Sequence, residues 1–219
     1  MNVSVTDKQA RLERTLRLAP VVAVVVIDKV EHAEPLANAL VAGGIPAIEV
    51  TLRTPAALAA IAAIAKNVDA AQVGAGTVLT AADLHDAQAA GAGFVVSPGA
   101  TDDLLEAAQR SPVPLLPGAA TASEAMALRD RGYRLQKFFP AEPAGGSDYL
   151  RALGGPLADI RFCPTGGVRV ANAANYLALP NVVCVGGSWL SPARLMDAGE
   201  WAQITALARE AAALPRRGD

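Results

Sequence analysis

Residues 21–27 read VVAVVVI, an apolar and mostly β-branched run that is typical of a strand buried on both faces. Seven more short apolar runs follow it along the chain, each ending in turn residues. They span residues 47–52, 71–78, 94–97, 113–117, 135–140, 161–165 and 182–187. The repetition predicts eight buried strands, all of one kind.

Helical patterns separate these strand candidates. The helix predicted at 31–42 ends at Gly43-Gly44, and Thr121 with Glu124 forms a capping box at the start of another helix. The pair Thr54-Pro55 predicts a helix that begins with Pro at its first position. Eight strand–helix units in a chain of 219 residues predict an α/β fold, specifically a (β/α)8 TIM barrel, with an open doubly wound sheet as the alternative.

The chain is predicted to form a single domain over residues 1–219, because no linker rich in Pro, Gly or Ser divides it. Within residues 1–18, the amphipathic segment 7–18 predicts an extra N-terminal helix that caps the bottom of the barrel. Residues 214–219 are predicted to be a mobile tail.

Composition excludes several classes of protein. A net charge of −2 argues against the basic surface of a nucleic-acid-binding protein. The apolar run at 19–27 is too short to cross a bilayer, and no signal-peptide pattern precedes it. Cys163 and Cys184 lie within apolar runs and are predicted to be buried thiols in a reducing compartment. The sequence therefore predicts a cytoplasmic protein.

The sixth run, LQKFFP at 135–140, has a lysine in its middle. In a TIM barrel the chemistry lies at the carboxyl ends of the strands. Phe139 shares a strand face with Lys137, because side chains alternate with a period of two. An apolar pocket disfavours the ammonium form, so Lys137 is a candidate amine nucleophile. The alternatives are an outward-facing lysine or a structural ion pair.

Polar side chains and glycines stand at the other strand ends. Glu49, Thr51 and Arg53 share one face if their strand continues that far. Glu49 could then neutralise Lys137 or move protons, and Arg53 could hold a carboxylate or phosphate. Glycine pairs follow runs seven and eight, at 166–167 and 186–187, where many barrels bind phosphate.

Together these groups suit a Schiff base with a ketone, followed by C–C bond cleavage or formation. A metal-dependent aldol reaction is disfavoured, because His32 and His85 both fall in helical segments and no cluster has metal-ligand spacing. A nicotinamide cofactor is also disfavoured, because residues 73–77 supply GxG without the third glycine of the fingerprint. We therefore expect no metal and no cofactor.

Six segments resemble one known family, in the same order and with similar spacing. They are VAGGIPAIEVTLRT (41–54), VGAGTVLT (73–80), FVVSPG (94–99), KFFPAE (137–142), RFCPTGG (161–167) and GGSWL (186–190). They look like the 2-keto-3-deoxy-6-phosphogluconate (KDPG) aldolases, a family that also covers 4-hydroxy-2-oxoglutarate (KHG) aldolase activity. The segments GAAT (118–121) and AEPAGG (141–146) depart from the family pattern, which bears on substrate preference rather than on mechanism.

The resemblance implies a class I, metal-free lyase of the Entner–Doudoroff route, typically a homotrimer, that cleaves its phosphorylated substrate into pyruvate and glyceraldehyde 3-phosphate. It makes Lys137 the imine-forming residue and Glu49 the general acid/base, working through water. The implied substrate-binding residues are Arg53 and Thr77 at the pyruvate carboxylate, Pro98 and Phe139 in the wall, and Thr165, Gly166, Gly167, Gly187 and Ser188 at the distal and phosphate end.

Three other functions stay open from the residues. An aldolase for the galactonate epimer would use much the same groups, and a hydroxyl at Thr165 favours the gluconate substrate only weakly. A phosphate-binding barrel isomerase or epimerase would use Lys137 electrostatically and form no imine. A non-catalytic regulator that binds sugar phosphates would have no need of a desolvated amine.

Overall fold

The computed structural model describes residues 3–216, in which strands and helices alternate. The strands are β1 (Val21–Val25), β2 (Ala47–Thr51), β3 (Gln72–Gly76), β4 (Val95–Val96), β5 (Leu115–Leu116), β6 (Gly118–Ala119), β7 (Leu135–Phe138), β8 (Arg161–Pro164) and β9 (Val185–Gly187). The α-helices are α1 (Val5–Leu16), α2 (Ala33–Ala42), α3 (Ala57–Asn67), α4 (Ala81–Ala89), α5 (Asp102–Arg110), α6 (Ala122–Asp130), α7 (Gly146–Leu153), α8 (Val170–Leu177), α9 (Ala193–Asp197) and α10 (Trp201–Ala212).

All strand pairs in the two sheets are parallel. One sheet has the order β5-β4-β3-β2-β1-β9 and the other β6-β7-β8. Only Pro117 separates β5 from β6, so these two short strands continue one another along the chain. At the other end, bridges between Phe162 and Val182 and between Thr165 and Gly186 join the second sheet to the segment that contains β9. The fold is thus α/β with a curled parallel sheet.

Each of the eight apolar runs contains a strand, and the additional strand β6 lies just after the fifth run, beyond Pro117, which has no N–H to donate to the ladder. The capping box of Thr121 and Glu124 is present at the start of α6. The helix start predicted at Pro55 was wrong: α3 begins at Ala57, and the Thr54 hydroxyl instead donates a hydrogen bond to the Ile27 carbonyl at 2.5 Å. Helix α9 was not predicted.

Two apolar clusters fill the molecule. The larger lies between the outer face of the sheet and the helices around it. The smaller one, which we call the lower interior, lies on the concave side of the sheet toward the amino ends of the strands. Its members are Leu12, Leu16, Val22, Ala47, Phe94, Val96, Leu116, Leu135, Cys163, Val183 and Cys184. Contact with Cys163 and burial raise the pKa of the Cys184 thiol, and both cysteines are free and buried, as predicted.

Helix α1 covers the lower interior. Leu12 and Leu16 are fully buried there. Gln9 hydrogen-bonds the Leu115 carbonyl and the Leu135 N–H, which joins α1 to β5 and β7. The Lys8 ammonium donates to three carbonyl oxygens at the carboxyl end of α5, where helix carbonyls lack partners. These contacts fix α1 across the amino ends of the strands.

Residues 214–216, the described part of the predicted tail, contact the rest of the protein. Leu214 packs, partly buried, against the larger cluster. Arg216 donates a hydrogen bond to the Arg17 carbonyl at 2.9 Å. These contacts hold residues 214–216 against the body of the protein, whereas residues 217–219 lie outside the described residues.

Candidate active site

A cavity of about 320 Å³ opens at the carboxyl ends of the strands, on the concave side of the sheet and opposite α1. We call it the upper interior. Its lining comes from several strands and from the loops that follow them. The lining residues are Val24, Glu49, Thr51, Arg53, Thr77, Pro98, Lys137, Phe139, Thr165, Gly166, Gly167, Val168, Gly186 and Ser188.

Lys137 and Glu49 form a buried ion pair in this cavity. Lys137 is 5% exposed and Glu49 is 3% exposed, and Lys137 Nζ lies 3.2 Å from Glu49 Oε1. Both side chains point to the concave side, because they follow Leu135 and Ala47 by two residues on their strands. Removing two charges from water is costly unless they pair. The pairing therefore keeps an amine and a carboxylate in contact where a substrate can reach both.

Gly76 leaves room beside the Glu49 carboxylate, and the Phe139 ring lies beside Lys137. A Cβ atom added to Gly76 on β3 would lie 2.2 Å from Glu49 Oε1, so only glycine leaves room for this carboxylate. The Phe139 ring centroid lies 5.3 Å from Lys137 Nζ, within the range of a cation–π contact. The glycines of residues 73–77 thus serve close packing, here against Glu49.

Arg53 reaches the cavity from outside the strand. β2 ends at Thr51, so the strand does not continue to Arg53 as the sequence pattern required. The Arg53 side chain nevertheless turns back, and its Nε donates to Thr51 Oγ1 at 3.1 Å. Thr51 Oγ1 in turn donates to the Val25 carbonyl at 3.0 Å. This chain of hydrogen bonds directs an exposed guanidinium to the rim, where it can meet an anion.

Thr77 has a left-handed backbone, with φ of 59°. This conformation is rare for a β-branched residue and costs on the order of 1–3 kcal/mol. Residues held in this way occur preferentially at binding and catalytic sites. Thr77 directly follows β3 and lines the cavity beside Pro98, which follows β4.

A glycine turn forms the far side of the cavity. Gly166 and Gly167 have φ values of 102° and 80°, which side chains disfavour. Thr165 precedes them, and its buried hydroxyl oxygen has no hydrogen-bond partner. A Cβ atom on Gly186 would lie 2.2 Å from that oxygen. A buried hydroxyl without a partner is costly, so Thr165 offers a hydrogen bond to a ligand.

The structure brings together every predicted site residue except Gly187. Gly187 lies on β9 with its neighbours Gly186 and Ser188 facing the cavity, and a Cβ atom on it would meet the Trp189 ring. Strand parity would have indicated Gly186 in its place, and Val24 on β1 as well. Val168 follows the glycine turn, and no sequence signal pointed to it.

Among residues 3–216, no group of three or more His, Cys, Asp and Glu side chains is placed to hold a metal ion. Within the same residues, no helix combines the length and apolar character that crossing a bilayer requires.

Comparison with known proteins agrees with this geometry. A family model described as KDPG and KHG aldolase matches residues 12–207. The chain belongs to the KDPG/KHG aldolase family. The KHG/KDPG aldolase of Escherichia coli (strain K12) is 54% identical over 199 residues, which cover 91% of this chain and 93% of that protein. The resemblance seen in the sequence is thus confirmed.

Solved structures of the aldolase family have the same fold. The 2-keto-3-deoxy-6-phosphogluconate aldolase of Zymomonas mobilis ZM4, solved with 3-phosphoglycerate, has a TM-score of 0.91 and 48% identity, over 95% of this chain and 98% of that one. The KDPG aldolase of Legionella pneumophila, with pyruvate captured at low pH as a covalent carbinolamine, has a TM-score of 0.90 and 46% identity, over 92% and 98%.

Proposed function

We propose that this protein is a class I aldolase that cleaves 2-dehydro-3-deoxy-6-phosphogluconate (KDPG) to pyruvate and D-glyceraldehyde 3-phosphate. It would also cleave 4-hydroxy-2-oxoglutarate to pyruvate and glyoxylate. Family membership supports the substrate class. The observation that carries the mechanism is the buried contact of 3.2 Å between an amine and a carboxylate in an open cavity.

The first step is attack of the Lys137 amine on the ketone carbon C2 of the substrate. The ammonium must first lose a proton, and Glu49 Oε1, its hydrogen-bond partner, is placed to accept it. The new C–N bond sends the carbonyl electrons to oxygen, which takes up a proton. Glu49 then returns its proton to the hydroxyl group of this carbinolamine, which leaves as water. The products are a protonated imine, which is an electron sink, and a Glu49 carboxylate that can accept a proton again.

The second step breaks the C3–C4 bond. Glu49, through a water molecule, removes the proton of the C4 hydroxyl group, and the C3–C4 electron pair moves into the imine. The aldehyde leaves and an enamine stays on Lys137. The enamine then takes a proton at C3, and water hydrolyses the resulting imine to release pyruvate and restore the amine.

Substrate binding is assigned by position around the cavity. We assign Arg53 and Thr77 to the pyruvate carboxylate, because one is an exposed cation on the rim and the other is held in a strained turn. We assign Thr165, whose hydroxyl group has no hydrogen-bond partner in the protein, to the part of the substrate distal to the pyruvate carboxylate. Pro98 and Phe139 form the wall, and the phosphate end is assigned to Gly166, Gly167 and Ser188. Gly187, which does not line the cavity, is assigned to the phosphate end by family resemblance alone.

We further propose that the curled sheet closes into a (β/α)8 barrel capped by α1, and that the chain is a single domain. The support is the continuity of β5 with β6 across Pro117 and the bridge between Thr165 and Gly186. If Leu115–Leu116 and Gly118–Ala119 count as one strand, eight parallel strands result, in agreement with the eight apolar runs of the sequence.

The environment of the protein is inferred from its class. We propose a homotrimer that works in the cytoplasm on small molecules, without nucleic acid or membrane. Two free buried thiols fit a reducing compartment, and the net charge of −2 fits a protein without a nucleic-acid partner. The trimer follows from family resemblance, and light scattering coupled to size-exclusion chromatography measures it.

Borohydride reduction in the presence of pyruvate, followed by peptide mass mapping, tests the mechanism. We expect a reduced pyruvyl adduct on Lys137 and none on Lys8, Lys29 or Lys66. Folded protein without an adduct would overturn the Schiff-base mechanism and favour a phosphate-binding isomerase or epimerase. Comparing the cleavage rates of KDPG and its galactonate epimer then tests the substrate assignment, and faster cleavage of the galactonate epimer would overturn it.

A further inference from the structure

The glycine turn of the cavity is held in place by a neighbouring chain segment. Two backbone hydrogen bonds connect the segment to the turn, from Ala141 N to Thr165 O at 2.8 Å and from Glu142 N to Gly166 O at 3.0 Å. On the other side of the turn, Asn172 Nδ2 donates to Gly167 O at 3.3 Å. The position of the turn therefore depends on where the segment that contains Glu142 lies.

The side chain of Glu142 lies directly over the turn. A Cβ atom on Gly167 would be 2.7 Å from Glu142 Cβ and Cγ, so this side chain covers the space that glycine leaves open. The Glu142 carboxylate accepts a hydrogen bond from the hydroxyl group of Tyr176. Tyr176 is fully buried on α8, the helix that follows the turn. The pair thus connects the segment before α7 to the helix after the turn.

Tyr176 is suited to be a permanent donor in this contact. Burial raises the pKa of its hydroxyl group, and the hydrogen bond to Glu142 raises that pKa further. The hydroxyl therefore stays protonated at neutral pH. The exposed Glu142 would otherwise be free to move, and a buried tyrosine on a packed helix restricts it to one position.

We propose that Tyr176 and Glu142 are positioning residues for the Gly166–Gly167 turn, and that they set the affinity of the site for the phosphate end of the substrate. This inference rests on the proposed function, in which the turn binds phosphate. Neither side chain lines the cavity. Their loss should therefore weaken binding of the phosphorylated substrate and leave the Lys137–Glu49 chemistry unchanged.

The test is Tyr176→Phe, which removes the hydroxyl group and keeps the ring. We expect KM for KDPG to rise about tenfold, as the loss of one hydrogen bond to a charged group implies. We expect kcat, and the pyruvate concentration that gives half-maximal borohydride trapping, to stay at wild-type values. Tyr133→Phe is the matched control, because Tyr133 is equally buried and lies outside the cavity lining; its KM should not change.

Two variants of Glu142 test whether its hydrogen bond with Tyr176 is responsible for the effect. Glu142→Ala should raise KM for KDPG as Tyr176→Phe does, and Glu142→Gln, which can still accept the hydrogen bond, should restore most of the affinity. The double variant Tyr176→Phe with Glu142→Ala should be no worse than either single variant, because one contact is removed in all three.

Each outcome has a distinct meaning. If the wild-type protein neither traps pyruvate nor cleaves KDPG, the proposed function fails. If the wild-type protein does both and Tyr176→Phe leaves KM for KDPG unchanged, the positioning role fails alone. An equal loss of affinity for pyruvate, measured by trapping, and for KDPG, measured by KM, would also overturn the positioning role. Such a loss would indicate a general structural effect.

Discussion

The lower and upper interior are built from the same strands and differ completely in chemistry. Leu135 and Lys137 are two residues apart on β7, and both point to the concave side of the sheet. The same step separates Cys163 from Thr165 at β8. The lower position is apolar and sealed under α1 in each case, whereas the upper position is polar and faces the cavity.

The two regions also differ in how completely side chains fill them. In the lower interior, large side chains fill the volume, and Gly74 on β3 makes way for the Phe94 ring. In the upper interior, Gly76 on the same strand makes way for Glu49 while the cavity stays open. One region is packed like a core, and the other leaves room for a ligand. We therefore expect substitutions in the lower interior to change the free energy of unfolding and substitutions in the upper interior to change kcat.

The largest expected effect is that of Lys137→Met in the upper interior. Without the amine no imine can form, so kcat for KDPG should fall by more than about 10³-fold. The variant also leaves the buried Glu49 without its partner, which should lower the free energy of unfolding by about 3 kcal/mol or more. Coupled pyruvate detection and urea denaturation measure the two effects.

The double variant Lys137→Met with Glu49→Gln is the control for this prediction. It should regain much of the lost stability, because no unpaired charge remains buried, and it should regain no activity. Substantial turnover in either variant would contradict the role of Lys137. A stability equal to that of the wild type in Lys137→Met would contradict the importance of the ion pair.

The second prediction concerns Leu12→Ala, in the lower interior. Leu12 is fully buried on α1, and truncation of such a leucine costs about 2–5 kcal/mol of unfolding free energy. At a temperature where the variant is folded, kcat and pyruvate trapping should equal those of the wild type. The matched control is Leu18→Ala, because Leu18 is 51% exposed and its truncation should cost less than about 0.5 kcal/mol.

A loss of kcat in folded Leu12→Ala would break the division between the two regions. It would mean that a change in the packing of α1 alters the position of Lys137 through the side chains of the lower interior. Urea denaturation followed by circular dichroism gives the stability of both leucine variants, and the aldolase assay at saturating KDPG gives their kcat.

Much of this arrangement could be predicted from the sequence, because each level of the pattern is local. The apolar runs located the strands, and the period of two placed Lys137 and Phe139 on one face. The same period placed Glu49 and Thr51 on the cavity side of a single strand. In each case, residues close in sequence decided the structure.

What could not be predicted depends on contacts between distant segments. Glu49 and Lys137 are on strands that are not neighbours, so their distance of 3.2 Å depends on how the sheet curls. One exception is local: the side chain of Arg53 returns to Thr51, two residues earlier, after the strand has ended, and no periodicity describes that turn. The contact between Tyr176 and Glu142 joins a helix to a loop, and nothing in either segment alone indicates it.

The smallest of the three effects is expected for Gly76→Ala, which tests whether the empty space in the upper interior is functional. The added methyl group would lie 2.2 Å from Glu49 Oε1, so the carboxylate must move. Misplacing a catalytic group by about 1 Å costs up to about 10²-fold in rate. We therefore expect kcat for KDPG to fall roughly 10–100-fold while the protein stays folded.

The matched control for this variant is Gly155→Ala, at an exposed glycine whose added methyl group would make no contact closer than 4.0 Å. It should leave kcat unchanged. Exchange of the pyruvate methyl protons, followed by NMR, should slow in Gly76→Ala in proportion to kcat, because in the proposed mechanism the Glu49 carboxylate moves the proton in both reactions. If Gly76→Ala exchanged the methyl protons at the wild-type rate but had a reduced kcat, Glu49 would not be the base. Gly76 would then act on another part of the site.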